Sequence, residues 1–150
     1  MLASLLLAAA LPATASPLAD LQYLVGSWSC TYRAGAMQMG YHATYAYDRD
    51  GHTLRETTAF AGGGGDEELI AYDAPHRVWT AVVIEDQGAV TIMHASGSDP
   101  KHIAYRSAYP DASIAVTFDR VSSTAYTLHA KVREGGKTIT SVDMCSRSGH

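Results

Sequence analysis

A chain of 150 residues with 47% hydrophobic and 17% charged residues has the size and composition of one folded domain, too apolar to remain disordered. Fifteen acidic residues against eleven basic ones leave a net charge of −4. Without any run of Lys or Arg to neutralise phosphates, that balance argues against a nucleic-acid partner.

Residues 1–11 form an uncharged Leu/Ala block, followed by Pro12 and the small residues Ala13-Thr14-Ala15. A membrane-spanning helix needs about twenty apolar residues, so the block is too short to span a bilayer. It matches the core of a signal peptide with cleavage after Ala15, although its positive n-region is missing. The competing reading is a buried N-terminal helix. Cleavage predicts a periplasmic or secreted protein of residues 16–150 in one domain, with no integral membrane segment in its mature part. Two cysteines remain, Cys30 and Cys145. In an oxidising compartment they are expected to pair, whereas in a reducing one two separate buried thiols would be the expectation.

Only residues 17–24 leave room for a helical turn or two, placed to cover one end of whatever follows. From Ser27 onward the periodicity is close to two. Strands are predicted over 28–33, 39–47, 52–60, 67–73, 77–85, 89–95, 102–108, 113–121, 124–132 and 138–147. The breaks between them carry turn chemistry: Ala34-Gly35, Asp48-Arg49-Asp50-Gly51, Ala74-Pro75-His76, Asp86-Gln87-Gly88, Tyr109-Pro110-Asp111 and Glu134-Gly135-Gly136-Lys137. The run Gly62-Gly63-Gly64-Gly65 reads as a flexible loop, a mobile rim if it lies at a barrel mouth.

Short links make consecutive strands antiparallel neighbours, and about ten such strands escape exposed edges by closing into an all-β, antiparallel up-and-down barrel. Closure places the first strand beside the last. If Cys30 and Cys145 are bonded, the same register puts Trp28 opposite Arg147 and Tyr32 opposite Asp143. An aromatic–guanidinium contact, a disulfide and a tyrosine–carboxylate hydrogen bond then share one seam.

The stretch Leu24-Val25-Gly26-Ser27-Trp28-Ser29-Cys30 resembles the Gly-x-Trp signature that opens the first strand of calycins: lipocalins, fatty-acid-binding proteins and nitrobindin-like barrels. The chain is also similar to small calycin-like proteins that bacteria export, which end in a Cys-x-Arg stretch. The resemblance implies a barrel whose floor is sealed by Trp28, with Arg147 packed across it. The chain departs from lipocalins in having no Thr-Asp-Tyr motif. It departs from fatty-acid-binding proteins in having only residues 35–38 where two helices would stand. It departs from nitrobindins in ending on Met144, Cys145 and Arg147 rather than on a haem-ligating His.

The seven histidines, His42, His52, His76, His94, His102, His129 and His150, show no H-x-H or H-x₃-H spacing, and no metal site or cofactor is expected. His129 is expected to face solvent. His94 shares parity with Val90 and Ile92 and is expected to point inward. Glu67 and Glu68 are adjacent in one strand and so face opposite ways, which prevents an acid/base pair without help from elsewhere. The glycine run lacks the Gly-Lys-Ser/Thr of a phosphate cradle, no nucleophile elbow occurs, and no catalytic residue is assigned. Tyr41, Tyr45 and Tyr47 share one strand face. With Tyr126 and His94 they are the pocket candidates, suited to an apolar or amphipathic small molecule; the alternative is that they fill the core or pave the outside. Three functions follow. The first is an exported, non-enzymatic small-molecule-binding barrel. The second is a structural or protein-interaction barrel with a filled core. The third, by calycin analogy alone, is a haem- or nitrogen-oxide-related enzyme.

Overall fold

A computed structural model describes residues 16–149. The expected signal peptide and its cleavage site after Ala15 lie outside the described residues. After a 3₁₀ helix, Pro17–Leu24, come ten strands: β1 (Gly26–Ala34), β2 (Met37–Tyr47), β3 (Thr53–Phe60), β4 (Asp66–Asp73), β5 (Val78–Glu85), β6 (Val90–Ser96), β7 (His102–Tyr109), β8 (Ile114–Arg120), β9 (Ala125–Glu134) and β10 (Lys137–Arg147). Each pairs antiparallel with its neighbours in sequence, and β1 pairs with β10, so the sheet closes into a barrel. Closure removes both free edges, the usual liability of a long antiparallel sheet.

The seam between β1 and β10 has the register that the cysteines imply. Trp28 lies opposite Arg147, Cys30 opposite Cys145 and Tyr32 opposite Asp143. Cys30 and Cys145 form a disulfide across that seam, 115 residues apart in sequence. Both half-cystines are buried, so the bond belongs to the inner wall.

The alternation of each strand sends one set of side chains into the barrel. Trp28, Tyr41, Ala43, Tyr45, Leu54, Ile70, Trp79, Ala81, Met93, Ile103, Tyr105, Phe118 and Tyr126 are all buried there. Burying each large side chain is worth about 1.5–3 kcal/mol, which makes this inner face the main source of stability.

One end is sealed by the 3₁₀ helix. Ser16 caps it, accepting from the Leu18 N–H at 3.3 Å, and Pro17 starts it where a missing N–H costs nothing. Leu18, Leu21 and Leu24 then drop into the barrel end. Four polar contacts hold the segment down. Trp28 Nε1 donates to the Leu24 carbonyl at 2.6 Å, and the Tyr47 hydroxyl to that of Leu18 at 2.6 Å. Arg147 donates to the carbonyls of Val25, at 3.0 Å, and Tyr23. The Gly of Gly-x-Trp has a physical reason here: Gly26 sits at φ +116°, and a Cβ on it would stand 2.9 Å from Arg147 Nη1.

The opposite end carries the links β1–β2, β3–β4, β5–β6, β7–β8 and β9–β10, and it is the mouth. The glycine run lies there but is a hydrogen-bonded turn rather than a loose loop. The Phe60 N–H donates to Gly64 O at 3.1 Å and the Gly63 N–H to Phe60 O at 3.0 Å. A Cβ on Gly65 would lie 2.1 Å from the Thr58 carbonyl oxygen, so close backbone approach, not freedom, requires that residue.

Candidate functional site: an acidic chamber inside the barrel

The lumen is not filled. Beneath the helical cap lies an inner chamber of about 200 Å³, walled by Leu21, Leu24, Ile70, Ile103, Phe118 and Leu128 among others. Nearer the mouth lies an outer chamber of about 280 Å³, walled by Tyr32, Met39, Tyr41, Thr58, Phe60 and Asp66. The two share Glu56, Glu68, Val83, Leu128 and Asp143. Three carboxyl groups thus stand where the chambers meet.

Glu56 on β3 and Glu68 on β4 are directly opposed partners in the β3–β4 ladder. Glu56 is only 5% exposed. It shares parity with Leu54, which is fully buried. Asp143 comes from β10, two residues before Cys145 on the same face. All three acids are pushed up from the ordinary carboxylate range. For Glu56 the first cause is burial and the next is the Glu68 carboxyl beside it. For Glu68, burial leads, a hydrogen bond with Glu56 opposes it, and the charge of Asp66 adds to the rise. Asp143 is raised by burial, against a lowering contact with the Tyr41 hydroxyl.

Among the described residues, no Lys, Arg or His lines either chamber. Strand alternation is the reason. Arg55, the residue before Glu56, points to the outer face and there pairs with Asp48 at 3.2 Å and with Glu67. The nearest cation in sequence is therefore on the wrong side of the sheet.

Hydroxyl groups surround the acids instead. Tyr45 and Tyr126 share a hydrogen bond of 2.9 Å. The Tyr41 hydroxyl lies 3.8 Å from Cys145 Sγ, and that of Tyr126 3.7 Å from Cys30 Sγ. Tyr105 is the exception. It is 5% exposed, it lines the inner chamber, and its hydroxyl has no hydrogen-bond partner. The charge of Glu68 acts on it, and burial together with that charge raises its pKa.

The residues picked out in the sequence divide as follows. Tyr45 lines the inner chamber and Tyr41 the outer one. Tyr126 is buried between Trp28, Tyr45 and Phe118, with ring centroids 4.9–6.1 Å away, and is a packing residue behind the wall. Tyr47 faces the capped end and lines neither chamber. His94 does not point inward. It is exposed on the outer face, with Nδ1 3.1 Å from Thr80 Oγ1. Its parity with Val90 and Ile92 is right, but those two residues lie opposite Ile84 and Val82 on the barrel exterior. Apolar residues pave the outside there, so hydrophobicity named the wrong face.

The expected Tyr32–Asp143 hydrogen bond is replaced by the contact of Asp143 with Tyr41, one strand further on. A directly opposed pair has Cβ atoms only about 5 Å apart, and the long tyrosine overshoots its short partner. The carboxyl group that Glu68 needed to form a pair comes from Glu56. The signal available in the sequence was an acidic residue at the inward parity of Leu54 and Phe60.

A closed ten-strand antiparallel barrel with a capped floor and a hollow lumen is a calycin-like fold. Among solved structures the chain is similar to the S-type phycobiliprotein lyase CPES from Guillardia theta, with 9% sequence identity and a TM-score of 0.56, covering 90% of this chain and 94% of that one. At that identity the likeness concerns the fold alone. No protein-family model and no curated protein sequence matches the chain.

Proposed function

We propose that this chain is an exported, non-enzymatic barrel that holds a small amphipathic molecule in its lumen. The observation that carries the reading is the pair of adjoining chambers that share five wall residues, the inner one beneath the cap and the outer one toward the mouth. Together they reach the range of about 300–1,000 Å³ usual for small-molecule sites. Mostly apolar walls interrupted by a few convergent polar groups are what such a ligand requires. Tyr41 and Tyr45 are the proposed contacts among the tyrosines, while Trp28, Arg147 and the Cys30–Cys145 bond serve closure. The Leu/Ala block of residues 1–11 and the disulfide both support export. A filled structural barrel would lack the chambers, and a haem reading finds no histidine on their walls.

The test is titration with the neutral apolar fluorophore N-phenyl-1-naphthylamine, beside native mass spectrometry of protein purified from its own host. Saturable binding at one site, lost when Ala130→Trp fills the inner chamber, is expected. A folded protein that takes up no fluorophore and carries no retained molecule overturns the reading.

A further inference from the structure

The acids in the lumen are out of keeping with a purely apolar ligand. A buried carboxyl without a cationic partner is costly, and an unpaired buried hydroxyl adds to the cost. Two cross-strand acids and a third acid from β10 stand where the chambers meet, and Tyr105, whose buried hydroxyl has no partner, lines the inner chamber with Glu68. Such a set has no positively charged group among the lining residues to offset its acids.

We propose that this junction is a receptor for the ammonium group of an amphipathic organic amine, with Glu56, Glu68 and Asp143 as its counter-charges and Tyr105 as a hydroxyl acceptor. An ammonium carries three N–H donors and no acceptor, the complement of what the junction offers. The carbon body of the amine occupies the inner chamber against Leu21, Leu24, Ile103 and Phe118. A bare metal ion is a poorer match: among the described residues no group of three His, Cys, Asp or Glu is placed to ligate one, whereas an ammonium needs direct contact with only one or two of the acids and feels the charge of the third at longer range. The mouth favours the same charge. Asp66 stands at the outer chamber with Glu85 and Asp86 close enough to raise its pKa, after burial, and an acidic rim draws cations inward.

Proton release accompanies binding. In the empty junction burial shifts all three acids toward holding their protons, and the titratable groups lining the chambers beside them are Tyr41 and Tyr45 from β2, Asp66 from β4, Tyr105 from β7 and Tyr32 from β1, none of them cationic. An entering ammonium favours the ionised carboxylates and displaces those protons.

The inference rests on the lumen being a ligand site and adds the class of ligand. Isothermal titration calorimetry with n-hexylamine, n-hexanol and n-hexanoate at pH 7.5 separates the two claims. Expected are hexylamine binding at least about tenfold tighter than hexanol, no hexanoate binding, and a loss of the preference to about twofold or less in Glu56→Gln/Glu68→Gln. That double variant still takes up N-phenyl-1-naphthylamine, which reports its fold. Should it not fold, Tyr105→Phe replaces it, with hexylamine expected to weaken several-fold and hexanol to be unchanged. Equal or tighter hexanol binding, or a preference that survives the substitution, overturns the amine assignment while the fluorophore result leaves the cavity reading standing. If the fluorophore and all three hexyl compounds fail to bind, both readings fall.

Discussion

The guanidinium carbon of Arg147 lies 4.7 Å from the ring centroid of Trp28, and two of its nitrogens reach the carbonyls of Tyr23 and Val25. One residue of the last strand thus covers the first strand's tryptophan and ties down the segment that caps the barrel. A planar fork does both, and an ammonium does not. Arg147→Lys is expected to lower stability by about 1–3 kcal/mol, read from urea unfolding. Gly26→Ala is expected to lower it as well, through its positive φ and its approach to Arg147. The double variant should lose less than the sum, because the crowding disappears with the guanidinium.

Reduction of Cys30–Cys145 opens a loop whose ends are 115 residues apart. The chain-entropy estimate for a loop of this length is about 4–5 kcal/mol. Cys30→Ala/Cys145→Ala should therefore unfold at markedly lower urea than the oxidised protein, by up to that amount. Adding reductant should shift the wild-type curve toward the variant and leave the variant's own curve in place.

Stability should fall as pH rises above the ordinary carboxylate range. Glu56, Glu68 and Asp143 hold their protons to higher pH when folded than when unfolded. Across that window the unfolded chain binds fewer protons, so the free energy of unfolding declines with pH. Each tenfold change in proton affinity corresponds to about 1.4 kcal/mol. Asp48, Asp73 and Asp111 have lowered pKa values, so their contribution is lost only at more acidic pH, as pH falls through their folded values. Urea midpoints between pH 4.5 and 8 should slope downward in the wild type and flatten in Glu56→Gln/Glu68→Gln.

Two tyrosine-to-phenylalanine changes should have opposite signs. Tyr45→Phe breaks the 2.9 Å bond to Tyr126 in a buried site and is expected to cost about 1 kcal/mol. Tyr105→Phe removes a buried hydroxyl that has no partner and is expected to be neutral or to stabilise by about 1 kcal/mol. Thermal unfolding of the unliganded protein distinguishes the two.

Closure was legible because two cysteines near the chain ends pin a register, and that register brings Trp28 to Arg147 without further assumption. Tyr41 and Tyr45 were legible because clean alternation puts both on one face of a long strand. The acidic junction was harder to see. Glu56 and Glu68 meet only through the β3–β4 register, which the turn around Gly64 and Gly65 sets, and glycine runs carry little register information. His94 misled for another reason. Alternation tells which residues share a face but not which face is inside, and on β5 and β6 the exterior is nearly as apolar as the interior.

β10 supplies Asp143, Cys145 and Arg147, at alternate positions of a single strand. Charge inside the lumen, half of the covalent staple and the clamp on the cap therefore all depend on one strand. Without that strand the sheet is left as a nine-strand ribbon with two open borders, and lumen, staple and cap fail together.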